Sequence, residues 1–575
     1  MDNQKRQLLA VGLVLLLTAI YWTFFTPTPT PRPAPTPAPT VLPDAGTIAV
    51  APTVPLAPPT PQAPEDKVAE QRIERLQPLV HYVFSTRGAG LMQARLLGKK
   101  MREQLQLSLS DGLRLLIGGK IPPPPQMDMA RPAPEQPLPL AIAVEGPQPL
   151  SANAAYLPVP GSTGDSQTTF TLTRGGWEVV KKFQFIDDGL EGTYSIQLKN
   201  ISSQPASGQL VVSYGRTVDP SSEEKPSMFG GVGNLSSAAC SVGEDLHKLE
   251  PDSKPTLEFQ GPLNFFGVDQ QYFLAAVFPL KGPQPGRCVL SVTATSRNAA
   301  AYFPLQVAPG ETVTQTFGLF LGPKDFDRLS TVSARLGTVT QGGAPYSPQL
   351  EKTVAFGIWA FICKILLWIL KFADSMFGNW GVAIIVLTVV VKLVLLPLTH
   401  KSMVSGEAMK KLQPKVEEIR KKHAADKERQ NQEMMKLYQE AKVNPLGGCL
   451  PLLLQMPVWF ALYTTLRNTY EIYGEPFIPP IWMDLTYKDP TYLLPAALGV
   501  TMIITQKLQP QVMDAAQARI MTYVMPIFFT AIMLNYPAGL TLYIFTNNLL
   551  SIGQQYGLRK YLEKKGAATP PQRKK

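Results

Sequence analysis

An apolar run at 444–463, NPLGGCLPLLLQMPVWFALY, constrains this chain more than any other stretch. It is long enough to cross a bilayer, which takes about 20 apolar residues. Yet Pro445, Pro451 and Pro457 each remove a backbone donor. Lipid offers no replacement hydrogen bond, so such breaks persist only where neighbouring helices, polar side chains or water satisfy the freed carbonyls. The stretch therefore belongs inside a bundle of membrane helices.

Charge and cysteine usage narrow the chemistry. The net charge of +11 is uneven, with its densest clusters beyond residue 400, which points to an anionic partner at one membrane face, lipid headgroups or RNA. Four cysteines without a C-x-x-C pair and four scattered histidines give no metal or thioredoxin-like pattern. The chain has no G-x-S-x-G, H-E-x-x-H or P-loop motif. It reads as a non-enzyme that needs no cofactor.

Taken in order, residues 1–25 join Lys5 and Arg6 to an apolar segment from Leu8 to Phe25. YWTFFT follows instead of a small-x-small cleavage site, and Trp22, Phe24 and Phe25 suit an interfacial belt. An uncleaved anchor with a cytoplasmic amino terminus is expected. Residues 26–64 alternate Pro, Thr and Ala, a composition that favours polyproline II and reads as an extended spacer. Residues 65–345 hold short period-two runs, among them Phe183 and Phe185, Tyr194, Ile196 and Leu198, and Leu210, Val212 and Tyr214. They predict a large antiparallel β-sandwich outside the cytoplasm. Cys240 and Cys288 fall within it, where a disulfide is permitted; two buried free thiols would give the same pattern.

Residues 352–374 have the hydropathy of a span, but Gly357, Lys364 and Lys371 recur every seven residues on one helical face. An amphipathic helix lying in the interface fits that stripe, and counting it as a span would place the basic segments outside, against the positive-inside rule. The expected fold is thus a polytopic α-helical bundle of six spans, the anchor plus five at about 380–398, 446–467, 491–506, 521–535 and 537–555. A cytoplasmic helical hairpin at 401–443 carries one stripe of Leu412, Val416 and Ile419 and another of Met434, Leu437, Tyr438 and Ala441. A basic tail at 559–575 leaves both termini in the cytoplasm.

Lys392 stands inside the span that starts at Trp380. A mid-membrane lysine costs about 2.5–3.5 kcal/mol on insertion scales, and such charges face a bundle interior or water. Two readings remain open: the stem snorkels to the cytoplasmic headgroups, or the ammonium sits in a hydrated cavity. Thr388, Gln455, Thr464, Thr465, Gln506, Asn547 and Asn548 add polar groups to the spans. Singly these serve as helix–helix hydrogen bonds; together with two short spans they indicate thinned membrane and a groove that holds water.

NPLGGCLPLLLQMP preceded by QEMMKLYQEAKV, with GNWG at 378–381, PLT at 397–399 and YPAGLTLY at 536–543 in that order, resembles the membrane core of the YidC/Oxa/Alb insertases. The motifs cover 378–560, and the anchor, outside domain ending near FLGPK at 320–324 and interfacial helix resemble the Gram-negative layout. The resemblance implies a membrane protein insertase and chaperone of the inner membrane, acting without nucleotide hydrolysis. It implies a five-helix core at 378–558 around a hydrophilic groove closed on the outside, and a periplasmic β-super-sandwich. Implied partners are nascent membrane proteins, the Sec translocon, the ribosome at the basic tail and cytoplasmic loops, signal recognition pathway components and anionic lipids. Lys392 stands where the family usually has arginine, keeping the charge and losing the planar fork; Thr388 and Tyr543 match groove-lining positions. With Gln455 and Asn547, these make the candidate substrate groove. Two other classes compete. A transporter or channel would suit broken spans with an intramembrane lysine, but no internal repeat is visible. A carbohydrate enzyme in the β-domain would have only His81 and His247 as its histidines, neither in a recognisable acid–base pair.

Overall fold

The computed structural model describes residues 69–564 except for 105–106, 120, 134–135, 161–165, 221–222, 224–234, 252–254, 341, 424–425, 442–449 and 509–517. The expected anchor, the Pro-rich spacer, the NPLGGC segment and the tail beyond 564 lie outside the described residues.

Alternation builds the first domain. Along Trp177–Ile186 the residues Trp177, Val179, Lys181, Phe183 and Phe185 are buried, while Glu178, Lys182 and Gln184 are exposed. The same period of two produces one thirteen-stranded sheet and a separate three-stranded sheet, antiparallel at every pairing among the described residues. The large sheet folds over itself. Ser296–Val307 and Thr312–Pro323 are not neighbours in the strand order, yet the rings of Phe303 and Phe317 lie 5.4 Å apart. Thr256–Asp269 carries the chain between the layers. Its first half pairs with Gln284–Val292 and its last residues with Phe273–Pro279. Cys240 and Cys288 are both fully buried and free. Burial, followed by the neighbouring Cys240 thiol, pushes the Cys288 thiol pKa up, so the thiolate that disulfide exchange requires is scarce.

Nine α-helices are described: α1 Leu109–Leu116, α2 Phe326–Leu336, α3 Ala360–Phe377, α4 Trp380–Lys422, α5 Lys427–Glu440, α6 Leu450–Asn468, α7 Leu493–Leu508, α8 Met525–Met533, which follows a π-helical turn at Ile520–Val524, and α9 Ala538–Lys564. Two expectations change, and a third, the set of spans, is met in part. First, Gly357 is not on the interfacial helix; it sits in a short turn before α3 with φ +58°, a conformation that suits glycine. The two lysines do share a side, between the buried face of the helix and its exposed one, and both reach neighbouring protein groups. Lys364 stacks on the Phe326 ring of α2, and Lys371 pairs with Asp327 of α2 and Glu471 in the loop after α6. Second, the span and the first hairpin arm are one 43-residue helix, α4, which runs through Pro397 and Pro414. Third, among the described residues Trp380–Pro397 alone is both long and apolar enough to cross a membrane by composition, and Leu493–Leu508 and Ile520–Met533 are shorter apolar helices. Polar residues such as Gln455 in α6 and Asn547 and Asn548 in α9 lower the hydropathy of those helices.

The β-domain and the helical region share packing. Tyr473, in the loop after α6, is buried in the sandwich core and donates its hydroxyl to the Arg102 carbonyl at 2.8 Å. Lys100 pairs with Glu475, and Gln271 donates to the Arg467 carbonyl.

Candidate functional site: a polar seam between helices

The GNWG motif sets the entry angle of α4. Gly378 ends α3 in the left-handed conformation, φ +63°. Asn379 caps α4 by accepting from the Val382 amide at 3.0 Å, and its own amide donates to the Phe477 carbonyl at 2.9 Å. Gly381 has no room for a side chain, because a Cβ there would run into the Phe477 ring. Replacing Asn379 with alanine removes both bonds. The expected loss is about 1–2 kcal/mol, visible as faster amide exchange at the start of α4 while exchange in the sandwich stays unchanged.

So placed, α4 lies against α9, with α6 closing the other side. Tyr543, Asn547, Ser551 and Gln554 recur at helical spacing on one face of α9, covering about 16 Å of helix. Lys392 donates to the Ser551 hydroxyl at 2.6 Å, and Ser551 in turn donates to the Asn547 carbonyl at 2.8 Å. The Gln455 amide donates to Asn547 Oδ1 at 2.8 Å and approaches the Tyr543 hydroxyl at 3.4 Å. Further along, the Gln554 amide donates to Thr399 of the PLT motif at 3.1 Å. Among the described residues no carboxylate pairs with Lys392, so its charge is held only by a neutral hydroxyl. The Asn548 amide nitrogen is buried and unpartnered.

Of the five residues read from the sequence, Lys392, Gln455, Tyr543 and Asn547 join one hydrogen-bonded run. Thr388 does not: it is buried and donates to its own Ile384 carbonyl. Ser551, Gln554 and Thr399 were missed, although the four- and three-residue steps from Tyr543 through Gln554 carry the signal. The Tyr543 end of the seam is closed by packing. Ala538 and Gly539 donate backbone hydrogen bonds to Tyr487 and Leu485, and Leu485, Tyr536, Leu540 and Tyr543 are buried. The YPAG turn thus locks onto the outer loop. Among the described residues no cluster of His, Cys, Asp or Glu could hold a metal ion.

Comparison with known proteins places this geometry. The family described as "YidC periplasmic domain" matches residues 140–369, and that described as "60Kd inner membrane protein" matches residues 372–565. Membrane protein insertase YidC of Anaeromyxobacter sp. (strain Fw109-5) is 39% identical over 442 residues, covering 75% of this chain and 77% of the relative. The protein of the same name from Syntrophus aciditrophicus (strain SB) is 33% identical over 579 residues, covering 97% of this chain and 99% of the relative. A crystal structure of an active YidC insertase with its first transmembrane domain resolved covers 85% of this chain and 93% of its own, at 19% identity and a TM-score of 0.37.

Proposed function

Because this chain belongs to the YidC family of membrane protein insertases, we propose that the seam between α4, α6 and α9 is the path by which a nascent client's polar flank enters the membrane. The chain is an inner membrane insertase whose substrates are nascent membrane proteins. The observation that carries the path is the Lys392 ammonium, set in the membrane helix α4, bonded to Ser551 and without a carboxylate partner among the described residues. An unpaired cation at that depth attracts an acidic or polar segment. Gln455, Asn547 and Tyr543 continue the polar surface outward, and Thr388 borders it one turn above Lys392. The closed outer end keeps the seam from acting as a pore. The client's apolar helix would leave sideways into lipid, driven by hydrophobic transfer and assisted by the membrane potential, with no nucleotide hydrolysed.

The same reading carries six spans with both termini in the cytoplasm of a Gram-negative cell. It takes 1–25 as anchor, 26–64 as linker, 65–345 as periplasmic domain, 352–374 as interfacial helix and 378–558 as core. The hairpin at 401–443 and the tail at 559–575 face the ribosome, signal recognition pathway components and anionic lipids, and the core works alone or beside the Sec translocon. The exposed row Phe361, Ile365, Trp368, Phe372 and Met376 on α3, opposite its buried face, supports a helix lying in the interface.

The test is reconstitution of the full chain, pure, in vesicles, with a single-span client that carries an acidic flank and no nucleotide present. Protease-protected client well above that of protein-free vesicles is expected. Client insertion at the protein-free level, or solute flux through the vesicles without any client, would overturn the reading.

A further inference from the structure

Helix α1 belongs to the β-domain by sequence but does not rest on it alone. A capping box starts it: the Ser108 hydroxyl accepts from the Asp111 amide, and the Asp111 carboxylate accepts from the Ser108 amide. Gly112 sits mid-helix, where glycine costs about 1 kcal/mol relative to alanine, and the reason is contact. A Cβ there would collide with the carbonyl of Pro490. Leu115 packs with Leu107 and Tyr487. Helix α1 is thereby seated on the outer loop, beside the Pro490–Tyr492 segment that leads into α7 at Leu493.

The circumference of α1 divides into three sectors. Gly112 and Leu115 face protein. Ser110, Asp111 and Arg114 form a polar side. Between them runs an apolar row of Leu109, Leu113, Leu116 and Ile117, exposed by 48%, 54%, 40% and 85%. Helix α3 has the same division, with a protein face, a pair of lysines and an exposed apolar row. A helix at a junction of protein, lipid and water needs those three sectors; a helix at a protein–water boundary needs only two. Exposed apolar residues also occur in the loop that carries α1 and at the start of α7, Ile478, Met483 and Leu493.

We propose that α1 is a second interfacial element, with Leu109, Leu113, Leu116 and Ile117 seated among the acyl chains of the outer leaflet. This rests on the reading of α7 as a span with its Leu493 end outside. The occupant is lipid because α1 is seated on the Pro490 carbonyl, three residues before that span begins at the exposed Leu493. The periplasmic domain is then held at the bilayer by two helices, α1 and α3.

The experiment places a single environment-sensitive fluorophore on cysteine at Leu113, Ile117, Ser110 or Val394 of the full chain in phospholipid vesicles, with Cys449 replaced by serine and the unlabelled-site background subtracted. All four positions except Ser110 are expected to show blue-shifted emission quenched by doxyl-labelled lipid, and Ser110 to be quenched by aqueous iodide instead. Iodide quenching at Leu113 and Ile117 with lipid quenching at Val394 would overturn the proposal alone. Shielding of both positions from both quenchers would overturn it in favour of a covering protein, a second copy or a partner. Loss of lipid quenching at Val394, on the lipid-facing side of α4, would instead strike at the membrane reading of the core.

Discussion

Changing Lys392 to glutamate is expected to lower insertion of an acidic-flank client more than any other single substitution in the seam, with Lys392→Ala intermediate and Lys392→Arg close to the unchanged chain. Opposite unit charges about 4 Å apart attract by about 1 kcal/mol in water and about 4 kcal/mol at an effective dielectric of 20. A seam lined by Ser551, Asn547 and Gln455 lies between these limits. Alanine should therefore slow insertion on the order of tenfold, and glutamate by roughly another tenfold, because attraction becomes repulsion. Arginine keeps the charge, and a neutral hydroxyl partner makes no use of its fork. Two controls separate charge from packing. Ser551→Ala removes the hydroxyl that accepts from Lys392 but keeps the cation, so it should insert almost normally. A client with a basic flank should reverse the ranking of lysine and glutamate. Equal insertion by all four residues at position 392 would mean that the ammonium merely reaches the headgroups.

Those controls follow from what the sequence could and could not display. Lys392, Gln455 and Asn547 were legible because a polar residue in an apolar run stands out by itself, whereas Tyr543 came only from the resemblance of YPAGLTLY to the insertase core. Ser551 did not stand out: serine is small and only weakly polar, and its partner lies 159 residues away. Thr388 looked equivalent to the others, yet threonine can satisfy its hydroxyl on the preceding turn, and it does so at Ile384. The sandwich was legible from alternation, as in Trp177–Ile186, whereas the fold-over that brings Phe303 to Phe317 is a tertiary fact. The span at about 380–398 and the hairpin arm after it were expected as separate segments; α4 runs through both to Lys422. The docking of Tyr473 in the sandwich core had no local signal at all.

Lys181 shows how a legible pattern carried an unread consequence. Its parity with Val179 and Phe183 points it inward, and it is fully buried with no carboxylate beside it among the described residues. The ammonium donates instead to the carbonyls of Gly88, Ala89 and Leu140 at 2.7, 2.9 and 2.8 Å, among the rings of Tyr156, Phe183 and Tyr194. All three acceptors belong to residues with positive φ, +66°, +42° and +66°, and Ala89 and Leu140 are not glycines. Such conformations cost about 1–3 kcal/mol each and persist when their surroundings enforce them. The three N–H bonds do so here. Tyr194 also donates to the Leu140 carbonyl, so Lys181→Met strands the Gly88 and Ala89 carbonyls, at about 1–3 kcal/mol apiece, and slackens the strained turn. The expected destabilisation is about 3–5 kcal/mol, which lowers the midpoint of thermal unfolding of the β-domain by roughly 5–10 °C. Alkaline titration supplies a second readout. Burial holds the Lys181 pKa below that of a free lysine, so between the two values the unfolded chain keeps a proton that the folded one has released. Stability must rise with pH across that window, and the methionine variant, which has no amine there, should lack the rise. A variant as stable as the parent at neutral pH, with the same alkaline profile, would show that the turn stands without its lysine.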